Sequence, residues 1–190
     1  YNKELRNKYS PDGNPIVLGV ASEWTERKGL ADFIILAEKC KDINFVVVGV
    51  TAEQARQLPK EITGICRTNN VDELVELYST ADVFFNPTYE DNFPTTNLEA
   101  LACGTPIVTY DTGGSPESLA VARAAGIERI GYAIEKESSN SIEYQLVEKQ
   151  LRIAIEHLNT EKCSENCRRA SLLFDRNLRL KEYLNIYRSC

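Results

Sequence analysis

Asp82-Val-Phe-Phe-Asn-Pro-Thr-Tyr-Glu-Asp-Asn-Phe-Pro-Thr-Thr-Asn-Leu-Glu-Ala-Leu-Ala-Cys-Gly-Thr-Pro-Ile-Val-Thr-Tyr110 reads as a strand, an acidic turn, a helix and a second strand. Asp82 to Thr88 has a β-branched and aromatic centre without charge, as expected of a strand covered on both faces. Thr95 to Cys103 has helical composition and is stopped by Gly104. Pro106 to Tyr110 is the next strand. The same alternation continues outward. Upstream lie apolar runs at Ile16–Ala21, Phe45–Val50 and Ile62–Arg67, with helix-like stretches at Gly29–Lys41 and Val71–Ala81. Thr51 and Gln54 form a capping-box pattern for a short helix ending near Pro59. Downstream, Ser115-Pro116 reads as the N-cap and first residue of a helix, and Gly131–Lys136 as a sixth strand.

Short apolar strands separated by helices imply a parallel sheet with helices on both faces and right-handed crossovers. The predicted fold class is therefore α/β: a doubly wound, mostly parallel, six-stranded Rossmann-like sheet with C-terminal helices. Residues 1–15, polar and carrying Ser10-Pro11-Asp12-Gly13, read as an inter-domain linker. Residues 16–139 form the α/β domain, and 140–190 supply helices only. Val147, Leu151, Ala154, Ile155 and Leu158 make one apolar stripe, followed by helices at Cys163–Phe174 and Asn177–Ser189. In such folds ligands gather at the carboxyl ends of the strands. The loops Ser22–Gly29, Arg67–Asn70, Tyr89–Thr96 and Thr112–Glu117 are expected to converge there.

At 190 residues the chain fits a single domain. A net charge of −6 argues against a nucleic-acid binder, which needs clustered Lys and Arg. No apolar run approaches the roughly 20 residues of a membrane span. Cys163 and Cys167 would share a helix face, but only His157 could join them, so no metal site is expected and free thiols in a reducing cytoplasm are. The sequence contains no Met, which suggests a fragment of a longer or processed chain.

Asp91 and Glu99 flank the start of the Thr95–Cys103 helix. A helix N-terminus offers unpaired N–H groups and the positive end of a dipole, a seat for a diphosphate. Carboxylates beside it accept hydrogen bonds from sugar hydroxyls. Two plainer roles stand beside this one. Thr96-x-x-Glu99 is itself a capping box, and Asp91 suits a solvated loop. Spacing alone does not choose between them.

The run from Asp91 through Leu98-Glu-Ala-Leu-Ala-Cys-Gly-Thr-Pro106 resembles the signature of family 4 glycosyltransferases, retaining enzymes of the GT-B fold. Ile107-Val-Thr-Tyr-Asp-Thr-Gly-Gly-Ser-Pro-Glu117 resembles the family's following strand and turn, and Leu18-Gly-Val-Ala-Ser-Glu-Trp-Thr-Glu-Arg-Lys-Gly-Leu30 its first strand and phosphate-contacting loop. Leu74 to Asp82 matches the helix ahead of the acidic loop. Four motifs in order across residues 16–117 make the resemblance specific. The Tyr-Glu-Asp-Asn-Phe-Pro form is most similar to enzymes building bacterial surface polysaccharides.

The resemblance implies the C-terminal, donor-binding half of a hexosyltransferase-type enzyme, using a UDP- or GDP-linked sugar with no cofactor and no metal. By position, Glu99 would hold the ribose hydroxyls, Asp91 the sugar hydroxyls and Lys28 the departing diphosphate. Ser22, Arg27, Arg67, Asn92, Phe93, Pro94, Thr95, Thr96 and Gly114 would contact the donor, with Arg67 near the base. The family usually has Glu where Asp91 stands, with Glu90 adjacent, and an Arg where this chain has Ala21-Ser22; Arg27 is the available substitute. The implied partners are a missing N-terminal acceptor-binding domain and a glycan or lipid-linked acceptor. The implied location is the cytoplasm, with peripheral contact at the inner membrane face open to the full-length protein. Alone, the chain is expected to transfer little or no sugar. Alternatives are a non-catalytic nucleotide- or sugar-phosphate-binding module and half of a nucleotide-sugar epimerase. A receiver domain fits less well, lacking an acidic cluster after its first strand. Without the motif, Lys28 reads as a surface lysine, and Trp24 and His157 read as structural. Leu180, Tyr183, Leu184, Ile186 and Tyr187 are expected to leave an apolar patch that invites self-association.

Overall fold

The computed structural model describes residues 2–135 and 143–189. Six parallel strands, β1 Ile16–Val20, β2 Asn44–Val48, β3 Ile62–Ile65, β4 Val83–Asn86, β5 Ile107–Tyr110 and β6 Gly131–Ile134, form one sheet in the order β3-β2-β1-β4-β5-β6. The strand order reverses between β1 and β4, which creates a crevice at their carboxyl ends. The expected boundary at 139/140 lies outside the described residues, as does Lys136.

Alternation along β4 shows how the layers are built. Phe84 points to one face and meets Tyr78 of α4 (Val71–Thr80), ring centroids 5.4 Å apart. Phe85 points to the other and meets Phe33 of α2 (Leu30–Lys39) at 5.2 Å. Both rings are fully buried, which explains a strand without polar alternation. α7 (Tyr144–Leu158) packs on β4, β5 and β6 and touches α2. Its stripe is as expected: Val147, Leu151, Ala154 and Leu158 are buried, with Ile155 partly so. α5 (Thr95–Ala102) packs on β4, β5, α4 and α8 (Glu161–Leu172). The capping box forms as read, with Thr51 and Gln54 opening α3 (Ala52–Gln57).

Two local expectations need correction. Within the supposed linker, Lys3–Tyr9 is a helix, α1, capped by Asn2 and packed on α4, with Tyr9 buried. Its Arg6 reaches Asp82 at 2.5 Å, so a tertiary ion pair holds a segment that composition reads as a linker. Ser115 and Pro116 do not cap a helix from their expected places. α6 (Glu117–Ala124) starts later, with Pro116 at the cap position and no side-chain cap. A turn at Gly113-Gly114 draws Ser115 inward, where it is fully buried and its carbonyl accepts from Asn97.

The last helix, α9 (Arg176–Ser189), is exposed along its described side chains. Leu180, Tyr183, Leu184, Ile186 and Tyr187 are all solvent-facing, as expected. No helix among the described residues is long and apolar enough to cross a membrane. The five described cysteines, Cys40, Cys66, Cys103, Cys163 and Cys167, are free thiols.

Candidate functional site

A cavity of about 620 Å³ opens at the carboxyl ends of β1, β2 and β4, the size of a small-molecule site and the place the strand order predicts. Its rear wall is made of strand ends and the residues after them: Val20, Ala21, Val48, Gly49 and Asn86. Gly49 is irreplaceable there. Its φ is +94°, and a Cβ would lie 1.7 Å from the Ala21 carbonyl oxygen. Trp24 closes one side, 5% exposed, its ring edge-on to Phe33 and its indole N–H donating to the Val48 carbonyl at 2.8 Å. That is the packing role read from sequence, although the ring also borders the cavity. Cys66, Arg67, Thr68 and Leu74 form the opposite lip.

The front is the acidic loop and the start of α5. Asp91, Phe93, Pro94, Thr95, Thr96 and Glu99 all line the cavity. α5 carries no side-chain cap, so Glu99 is not engaged in the capping box with Thr96. It accepts instead from the Tyr78 hydroxyl at 3.0 Å. Burial, reinforced by the Glu99 charge, raises the Tyr78 hydroxyl far above the usual phenol range. The N–H groups of Thr95 and Thr96 open the helix and have no place in its internal ladder, whereas that of Asn97 is taken by Pro94 O.

Lys28 ends a single 3-10 turn, Glu26–Lys28. Its Nζ meets Asp91 Oδ2 at 2.5 Å, and Asp91 Oδ1 accepts from the Phe93 N–H at 3.1 Å. Both ends of the Lys28–Asp91 pair line the cavity. Arg27, one residue earlier, turns outward and pairs with Glu90; both side chains are well exposed and neither lines the cavity. The structure thus separates the two candidate acids, with Asp91 inside and Glu90 outside. It also turns Arg27 away from the cavity that Lys28 lines. Asn92 and Gly114 likewise fall outside the lining.

Gly114 supports the loop from behind. Its N–H donates to the Asp91 carbonyl at 2.9 Å, and a Cβ would sit 1.8 Å from Asn92 O. Beneath lies a polar network not anticipated from sequence. Asn86 donates to Asn97, which donates to the Ser115 carbonyl. Thr112 donates to the Thr88 carbonyl at 2.6 Å. Tyr89 ties the loop to α2, its N–H donating to Arg27 O and its hydroxyl to Asp32, which also accepts from Tyr144. A buried Asn inside a helix and another at a strand end were the available signals, since buried amides must be paired.

Lys28 and Arg67 balance Asp91 and Glu99 in the lining, so the side chains bring no net charge. The anion-attracting element is then the N-terminus of α5, with Lys28 able to exchange Asp91 for an incoming anion. Among the described residues no three His, Cys, Asp or Glu side chains stand together as metal ligands. Cys163 and Cys167 lie 3.9 Å apart, with the Cys163 thiol donating to Arg129 O, while His157 is exposed beside Glu156.

Comparison with known proteins adds to this geometry. The family described as Glycosyl transferases group 1 matches residues 2–151. The chain is 30% identical over 181 residues to the N,N'-diacetylbacillosaminyl-diphospho-undecaprenol alpha-1,3-N-acetylgalactosaminyltransferase of Campylobacter jejuni, covering 93% of this chain and 45% of that protein. It is 32% identical over 126 residues to the GDP-mannose-dependent alpha-mannosyltransferase of Mycolicibacterium smegmatis, covering 64% of this chain and 32% of that one. The chain therefore spans less than half the length of these relatives. Among solved structures, Anabaena HepE in complex with UDP-glucose shares the fold, with a TM-score of 0.69 at 17% identity, covering 100% of this chain and 54% of that one.

Proposed function

Because the chain belongs to the glycosyl transferases group 1 family, we propose that it binds a nucleoside-diphosphate sugar, UDP- or GDP-linked, as the C-terminal, donor-binding half of a larger retaining hexosyltransferase. The observation that carries this is the joint position of Lys28, Asp91, Glu99 and the start of α5 around one cavity. Each supplies one chemistry. The open N–H groups of Thr95 and Thr96 suit phosphate oxygens. Glu99 suits the ribose hydroxyls, Asp91 the sugar hydroxyls, and the Arg67 lip the base. The nucleotide sugars named with the similar proteins, GDP-mannose and UDP-glucose, are of this class.

In the proposed reaction the bond between the sugar and the diphosphate breaks and negative charge grows on the leaving oxygen. The helix N-terminus, and Lys28 once it exchanges Asp91 for the phosphate, stabilise that charge from the cavity wall. No side chain of the cavity is assigned as base. The leaving phosphate takes the acceptor's proton, with no cofactor or metal in the scheme. The acceptor, a glycan or lipid-linked sugar of a bacterial surface polysaccharide, belongs to an N-terminal half, and turnover requires both. A cytoplasmic setting, at the membrane face for the whole protein, suits such acceptors.

The test is isothermal titration of the chain with UDP, GDP and ADP beside Glu99→Ala. Saturable binding of one nucleotide, lost in the variant, is expected. Equal binding by wild type and variant, or none by either, would overturn the reading.

A further inference from the structure

Glu99 is exposed and carries a long side chain that its own helix does not hold. A free glutamate samples many rotamers, and fixing one has an entropic cost at the moment a ligand binds. In this molecule the cost is met beforehand, because the Tyr78 hydroxyl donates to Glu99 Oε2 at 3.0 Å from a neighbouring helix. Tyr78 itself cannot move. It is 1% exposed, its ring lies edge-on to Phe84, and its backbone carbonyl accepts from Thr105 at 2.6 Å. A phenol so placed stays protonated and is always the donor, so Glu99 is always the acceptor in this pair. One carboxylate oxygen is thereby anchored towards α4, and the remaining acceptor capacity is left facing the cavity that Glu99 lines.

The geometry points to Tyr78 as a positioning residue that presets Glu99 to read the ribose of the bound nucleotide. This rests on the donor-binding reading above and extends it to a side chain that does not itself line the cavity. Tyr78 contributes to the recognition of a vicinal diol and contributes nothing to the phosphate seat, which is formed by other residues. Its removal changes selectivity between ribose and deoxyribose, a property that general packing damage would not alter selectively.

The experiment is titration of the full chain, wild type and Tyr78→Phe, with UDP or GDP, whichever binds wild type more tightly, with its 2'-deoxy counterpart, and with pyrophosphate. Phenylalanine keeps the ring that packs on Phe84 and removes only the hydroxyl. The expected result is ribonucleotide binding weakened by up to about tenfold, the cost of fixing one long side chain at the moment of binding. Deoxynucleotide and pyrophosphate binding change little, so the ribose preference falls. An unchanged ribose preference in Tyr78→Phe, or an equal loss for all three ligands, would overturn the positioning role and leave the donor site intact. Wild type that binds no nucleotide overturns the donor-binding reading and this inference with it.

Discussion

Where the strands begin, Asp82 accepts from Arg6 at 2.5 Å, from the Ile16 N–H at 2.7 Å and from Asn159 at 2.6 Å. Where the strands end, Asp91 holds Lys28 and one N–H, and Glu99 holds a single hydroxyl. The two ends of one sheet use the same side chain types differently. At the lower end the carboxylate is buried and each of its bonds ties together parts of the chain far apart in sequence. At the upper end the carboxylates border a cavity with acceptor capacity left over. A buried carboxylate with its bonds committed is part of the scaffold, whereas one with spare capacity beside an open helix N-terminus is placed for a ligand.

The largest effect should come from breaking the lower end. Asp82→Ala leaves the Arg6 guanidinium, the Ile16 N–H and the Asn159 amide without their common partner. Removing one member of a buried pair costs about 3 kcal/mol or more. Urea unfolding is expected to show that loss, with nucleotide affinity unchanged under conditions where the variant remains folded. A drop of less than about 1 kcal/mol would mean that the lower cluster is no scaffold.

The upper end should respond in the opposite way. Lys28→Ala is expected to weaken nucleoside-diphosphate binding by about 2 kcal/mol, roughly thirtyfold, through the lost charge-assisted contact. It also leaves Asp91 unpaired beside the phosphates. Its unfolding midpoint should barely move, because the Lys28–Asp91 pair is partly solvated. Arg27→Ala, one residue away, is expected to change neither property. Titration and urea melts of the two variants together would expose a wrong assignment, since equal losses of affinity would place Arg27 at the ligand after all.

What the sequence revealed follows the range of the interactions concerned. The strand runs, the Thr51/Gln54 cap and the seat of Asp91 beside a helix start are set by neighbours within a few residues, so pattern reading reaches them. The α1 anchor was not legible, because Arg6 and Asp82 are 76 positions apart. Nor was the Tyr78–Glu99 bond, which joins two helices. Val20, Val48 and Gly49 line the cavity, yet at the tips of apolar strands they read as core. Arg27 stands beside Lys28 in sequence, yet it pairs outward with Glu90 and does not line the cavity. In a 3-10 turn each residue advances by a third of a revolution, so adjacent cations face different ways. Ser115-Pro116 carries a sound local capping signal, and the packing of the Gly113-Gly114 turn under the acidic loop overrides it.

The smallest effect sharpens the contrast within the lower end itself. Asp42 pairs with Arg152 at 2.6 Å, as Asp82 does with Arg6, but the Arg152 and Asp42 side chains are 39% and 63% exposed. The Arg152 hydrogen bond holds the Asp42 carboxyl below its ordinary value of 3.8. A carboxyl depressed in the folded state binds its proton more weakly there than in the unfolded chain. Its contribution is therefore fully present above the unfolded value and lost as pH falls through the lower, folded one. Solvent screening limits that contribution to about 0.5 kcal/mol or less. Asp42→Asn should accordingly cost a few tenths of a kcal/mol at neutral pH, with the difference from wild type vanishing in acid. Urea melts at pH 7 and below pH 3.8 read both quantities. A loss at neutral pH as large as that of Asp82→Ala would show that burial is not what separates these two ion pairs, and would remove the ground on which committed and spare carboxylates are distinguished at the other end of the sheet.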